Sequence, residues 1–136
     1  VEVILRSFAL LCNGERYNGS MNVFINRYAK EAMNYSTEDV AYFYDLFVSF
    51  LKACNELPRE LFTTKNGELN AALFDSVFTV VASECFKSRT LITQKLHKER
   101  ISALKADPEF EEAITHSTSH TKMVNKRIEK ARTYLQ

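Results

Sequence analysis

Leu69-Asn70-Ala71-Ala72-Leu73-Phe74-Asp75-Ser76-Val77-Phe78-Thr79-Val80-Val81-Ala82-Ser83-Glu84-Cys85-Phe86 is the longest apolar stretch of the chain. Its apolar residues point in nearly every direction around a helix rather than to one side. The β-branched residues Val77, Val80 and Val81 would suit a strand, but the stretch is longer than strands run, and a helix buried on most sides is the reading that fits. Asp75 and Glu84 interrupt it, which makes it too polar to cross a bilayer, and no membrane partner is expected. A helix with so little polar surface needs other helices around it.

Working outward, the flanking segments supply them. Val1, Ile4, Phe8 and Leu11 repeat near the helical period, and Gly14 stands where a left-handed residue ends a helix. Asn18-Gly19 marks a turn, and Ser20 can cap a second helix to about Met33. Ser36-Thr37-Glu38-Asp39 reads as a capping box with a short acid, followed by the stripe Val40, Phe43, Phe47, Phe50, Leu51 and Cys54 up to Pro58. Lys65-Asn66-Gly67 is a turn, with a short extended piece conceivable at Leu61-Phe62-Thr63. An amphipathic helix is expected over Thr90 to Lys105. Asp107-Pro108 begins a short one to about Ile114. Ser117-Thr118-Ser119 caps a last helix carrying Val124, Ile128, Ala131 and Leu135. The fold class is all-α: one bundle of about seven helices over residues 1–136, built around the apolar central helix 69–86.

Composition agrees. The 136 residues contain 46% hydrophobic and 26% charged side chains with only Gly 3 and Pro 2, too few for the turns of a sandwich or barrel. Net charge is +1, which excludes a histone-like basic protein. That total conceals a division, because residues 1–80 hold 7 basic and 10 acidic groups while residues 81–136 hold 11 and 7. Cys12, Cys54 and Cys85 form neither an even framework nor a C-x-x-C pair, and a reducing cytoplasm fits them best. The opening at Val1, in mid-helix and without an initiator Met or a signal peptide, reads as a domain excised from a larger protein or equally as a processed or trimmed chain.

Chemistry-bearing patterns are few. His116 and His120 have the separation of two ligands on one helical turn, but they fall on a helix boundary without a third ligand, so no metal is expected. Helical ribonucleases pair Arg and His on neighbouring turns, whereas Arg89 and His97 stand eight residues apart. Neither a nucleophile elbow nor a glycine-rich phosphate loop occurs, and no cofactor is expected. Arg6 and Asp75 are charges set inside apolar helices, where a charge is costly unless paired, and a structural ion pair between them is expected. Lys122, Lys126 and Lys130 form one stripe on the last helix, which with Arg127 is the candidate nucleic-acid surface, and DNA the candidate ligand.

The residues Leu5-Arg6-Ser7-Phe8-Ala9-Leu10, then Tyr17-x-Gly19-x-Met21-x-x-Phe24-x-Asn26-x-Tyr28, resemble the helical part of GmrSD-type restriction proteins. Asn70-Ala71-Ala72-Leu73-Phe74-Asp75 is similar to that family's central helix, and Phe110, Ser117-Thr118 and Val124-Asn125-Lys126-Arg127-Ile128 to its closing helix. The resemblance implies a helical companion of an amino-terminal ParB-like domain of the same polypeptide, in a protein that targets modified phage DNA. The family's Asp-Gly-Gln-Gln-Arg motif is not in this chain, so no catalytic residue carries over. Arg6, Asn70, Asp75 and Arg127 match its polar pattern and are read as structural. A non-catalytic scaffold or interaction domain is therefore the leading expectation. A stand-alone helical adaptor for another protein is the competing one.

Overall fold

A computed structural model describes residues 2–136. Among them run seven α-helices: α1 (Glu2–Asn13), α2 (Met21–Ala32), α3 (Thr37–Ala53), α4 (Ala71–Ser88), α5 (Lys98–Ala106), α6 (Pro108–Thr115) and α7 (Thr121–Leu135). Short 3-10 turns cover Gly14–Arg16 and Arg59–Phe62. The described residues contain one isolated antiparallel bridge, between Thr63 and Leu69, and no helix long and apolar enough to cross a membrane.

The apolar stretch 69–86 forms α4, and α1, α3, α6 and α7 all pack against it. Asn70 starts it: the Asn70 side chain accepts the Leu73 N–H at 3.1 Å, satisfying one of the first-turn donors. Leu73, Val77, Phe78 and Val80 are at most 1% exposed. Phe8 of α1 meets Phe43 and Phe47 of α3 and Phe78 of α4, with ring centroids 5.1–6.1 Å apart. Phe50, Phe78 and Phe110 have no exposed surface, and each such ring stabilises the fold by about 1.5–3 kcal/mol.

Local signals also appear as structure. Ser36 and Asp39 close a full capping box on α3, and Asp107 accepts the N–H groups of Glu109 and Phe110 at the start of α6. Gly19 and Gly67 take left-handed φ values of 96° and 81° at their turns.

Four expectations differ in detail. Gly14 does not end α1 in a left-handed conformation; it opens the 3-10 turn closed by the Tyr17 N–H on its carbonyl. Leu61 and Phe62 belong to a 3-10 turn rather than an extended piece. The last helix is entered through His120, and Ser117 instead takes a left-handed φ of 49° in the preceding turn. The largest difference lies at 90–97, where no helix forms. Tyr42 Oη lies 2.9 Å from the Thr90 carbonyl, Ser49 Oγ accepts the Ile92 N–H at 3.1 Å, and the Ala53 carbonyl accepts the Leu96 N–H at 2.9 Å. Groups of α3 thus take the backbone bonds a helix would have kept, and the segment becomes a strap along that helix.

Candidate functional site

The most polar place in the interior lies where α1, α4 and α7 meet. Asp75, in the second turn of α4, is fully buried. Its Oδ2 accepts from Arg6 Nη2 at 2.7 Å and Nε at 3.1 Å. Arg127 approaches from α7, with Nε 3.3 Å from Oδ1 and Nη2 3.4 Å from Oδ2. The Arg6 side chain keeps 12% of its surface exposed, while those of Asp75 and Arg127 keep none. Two guanidinium groups on one carboxylate leave an excess positive charge, and backbone carbonyls take it up. Arg127 Nη1 donates to the Thr118 carbonyl at 2.5 Å and to that of Ala113 at 3.4 Å.

The same corner is pinned by two neighbours. The Tyr17 hydroxyl donates to the Ser119 carbonyl, and Asn70 Nδ2 donates to the Ile114 carbonyl at 3.3 Å. Arg127, Tyr17 and Asn70 therefore hold the whole 113–119 passage from α6 into α7. His116 lies within this passage and His120 follows it, each at a helix boundary, and no group of three metal-ligating side chains occurs among the described residues. Such saturation makes the cluster a lock between helices: every donor bond described here ends on another part of the chain.

Of the nucleic-acid surface expected on α7, Arg127 is corrected by the same geometry. Arg127 faces inward and is buried, so it is not available to a ligand. Lys126 Nζ lies 2.9 Å from Glu109, and Lys130 Nζ lies 3.3 Å from both Asp107 and Glu109. Asp107 caps α6 and Glu109 stands in its first turn, where the helix dipole also favours negative charge. Glu109 is held below its ordinary range by hydrogen bonds from Lys126 and Lys130. Burial would raise Asp107, but hydrogen bonds from the Phe110 N–H, the Tyr134 hydroxyl and Lys130 outweigh it and hold this carboxyl low. Lys122 alone of the stripe is exposed and outside the ion pairs among the described residues.

A signal for Arg127 was present in the sequence. Positions 124, 127 and 131 share a helical face, and Val124, Arg127 and Ala131 are the buried residues of α7. Reading only the lysine spacing hides it.

The other polar clusters are equally committed. Arg89 pairs with Asp39 at 2.7 Å and lies 4.4 Å from the centre of the Tyr42 ring, a cation–π contact rather than half of an Arg–His pair. Cys12 lies 3.9 Å from the hydroxyls of both Tyr28 and Tyr35, which are 3.1 Å apart. Burial pushes the Cys12 thiol and the Tyr28 phenol up, and Tyr35 up to about 12. A thiol so placed is not an activated nucleophile. Burial likewise raises Cys54 to about 12.

One apolar face remains open. Val40, Tyr44 and Leu51 share one side of α3 and are 56%, 70% and 47% exposed, with Leu69 at 47%. No family model, no curated protein and no solved structure matches the chain.

Proposed function

We propose that this chain is a non-catalytic helical scaffold and interaction domain of a larger restriction or phage-defence protein of the GmrSD type. One observation carries the reading. The four polar positions in which the sequence resembles that family, Arg6, Asn70, Asp75 and Arg127, all serve a single buried lock, Arg6 and Arg127 on the Asp75 carboxylate and Asn70 on the adjoining passage. Residues that bind one another this fully are suited to holding helices in place.

The partner is a ParB-like domain, and the exposed face of α3 is where it packs. Large apolar side chains at helical spacing are the usual core of such interfaces, with Tyr44 as the anchor. Contact with DNA is not assigned to α7, where Arg127 is buried and Lys126 and Lys130 pair with Glu109.

Calorimetric titration of the chain with a purified ParB-like domain of a GmrSD-type protein tests this. Micromolar binding is expected, weakened about tenfold or more by Tyr44→Glu with Leu51→Glu, at an unchanged melting temperature because both side chains are exposed. Absence of binding, or binding indifferent to these changes, overturns the proposal. So does hydrolysis of nucleotide or DNA by the chain alone.

A further inference from the structure

A cleft of about 710 Å³ opens between the end of α1 and α7. Both helices pack on α4, which provides its floor through Thr79 and Ser83. Leu10 and Leu11 line one wall, Val124 and Ile128 the other. Its volume is within the range of small-molecule sites, about 300–1,000 Å³, and polar and charged side chains line it beside these four apolar ones.

Three cations border the cleft from three different elements: Arg16 after α1, Lys87 on α4 and Arg132 on α7. Glu15 and Glu129 line it as well, which leaves one positive charge in excess. Arg16 is engaged by Glu31 at 3.2 Å and Lys87 by Glu84 at 3.4 Å, both pairs open to solvent and of the kind that contribute little. Arg132 is exposed and enters none of the ion pairs among the described residues.

The deciding atom is Thr79 Oγ1. Thr79 is 7% exposed, and its buried hydroxyl has no hydrogen-bond partner. Its counterparts on other buried faces return their proton to their own helix: Ser7 to the Val3 carbonyl at 2.7 Å, Ser49 to Leu46 at 2.7 Å, Ser76 to Leu73 at 2.9 Å. Thr79 does not, and an unmet buried hydroxyl destabilises the protein that carries it. Threonine in a helix has two accessible χ1 wells, and Thr79 is one of the residues that line the cleft.

We propose that this cleft binds an amphipathic organic anion. Its apolar body lies between the leucines of α1 and Val124 and Ile128 of α7, a polar atom meets the Thr79 hydroxyl, and its anionic group lies toward Lys87 and Arg132.

Fluorescence titration of the chain with 8-anilinonaphthalene-1-sulfonate, compared with the uncharged N-phenyl-1-naphthylamine, tests the proposal. A single saturable site for the sulfonate is expected. Lys87→Glu with Arg132→Glu, both at exposed positions, weakens the sulfonate about tenfold and leaves the uncharged probe unaffected. Thr79→Val raises the melting temperature, because an unmet hydroxyl is removed, and weakens the sulfonate about fivefold. Three results would each overturn it: no saturable binding to the folded chain, charge reversal without effect on the sulfonate, or a Thr79→Val protein that melts earlier than the parent.

Discussion

Asp75 illustrates how one buried charge organises its surroundings. Ionised in the interior, a carboxylate needs both opposite charge and hydrogen bonds. Arg6 supplies two donors from α1 and Arg127 two more from α7. The two arginines are not equivalent. Arg127 is fully enclosed and also holds the Ala113 and Thr118 carbonyls, whereas Arg6 keeps a solvent-exposed edge. Arg127→Met is therefore expected to cost about 3–5 kcal/mol of unfolding free energy, the range for breaking a buried pair by removing one partner. Arg6→Met costs less, because water reaches part of what it leaves. Urea unfolding of the two variants measures the difference, and equal losses would show that the enclosure of Arg127 has no consequence. Arg6 and Asp75 are legible in the sequence because each interrupts an apolar helix. Arg127 is harder to see, since a basic residue amid other basic residues reads as surface unless its register with Val124 and Ala131 is followed.

Among elements, those with their own start signals are read most directly. Ser36 and Asp107 each cap the helix they precede, and the starts of α3 and α6 follow from them, whereas Asn70 caps α4 inside the stretch read as helical from Leu69. The strap at 90–97 is not legible in this way. Leu91, Ile92 and Leu96 imitate a helical period, but the hydrogen bonds that decide the backbone come from Ser49 and Ala53, more than forty residues earlier in the chain. The pairing of α6 with α7 is hidden for a related reason: the spacing of Lys122, Lys126 and Lys130 shows a positive stripe but not the acids of another helix facing it. This arrangement has a measurable consequence. Lys126→Glu with Lys130→Glu places like charges against Asp107 and Glu109, and the melting temperature is expected to fall by several degrees, followed by circular dichroism. At low salt, duplex DNA is expected to bind this variant no differently from the parent. A stable variant that loses DNA binding would return α7 to the role of a nucleic-acid surface.

For the whole molecule, titration sets the range of pH in which these contacts hold. Tyr35 and Cys54 are raised to about 12 from ordinary values of 10.0 and 9.0, and Tyr28 is raised further still. Groups raised in the folded state contribute stability that is complete below their ordinary values and lost as pH rises toward the folded ones. Glu109 and Asp107 are lowered from 4.5 and 3.8, so their contribution is complete above those values and lost as pH falls through the depressed ones. The urea midpoint is thus expected to be level between about pH 5 and 9 and to fall on either side; a midpoint still rising above pH 10 would contradict the buried phenols and thiol. At this scale the all-α bundle around α4 is readable from residues 69–86 and the scarcity of glycine and proline. The polar lock is only half readable, because it joins positions far apart in the chain. Asp75 is the centre of that lock, and Asp75→Asn removes its charge. This change keeps the shape of the side chain but leaves two guanidinium groups without their counter-charge. Equilibrium urea unfolding of Asp75→Asn is predicted to show a loss of about 3–5 kcal/mol. An unfolding curve that superposes on that of the parent would contradict it.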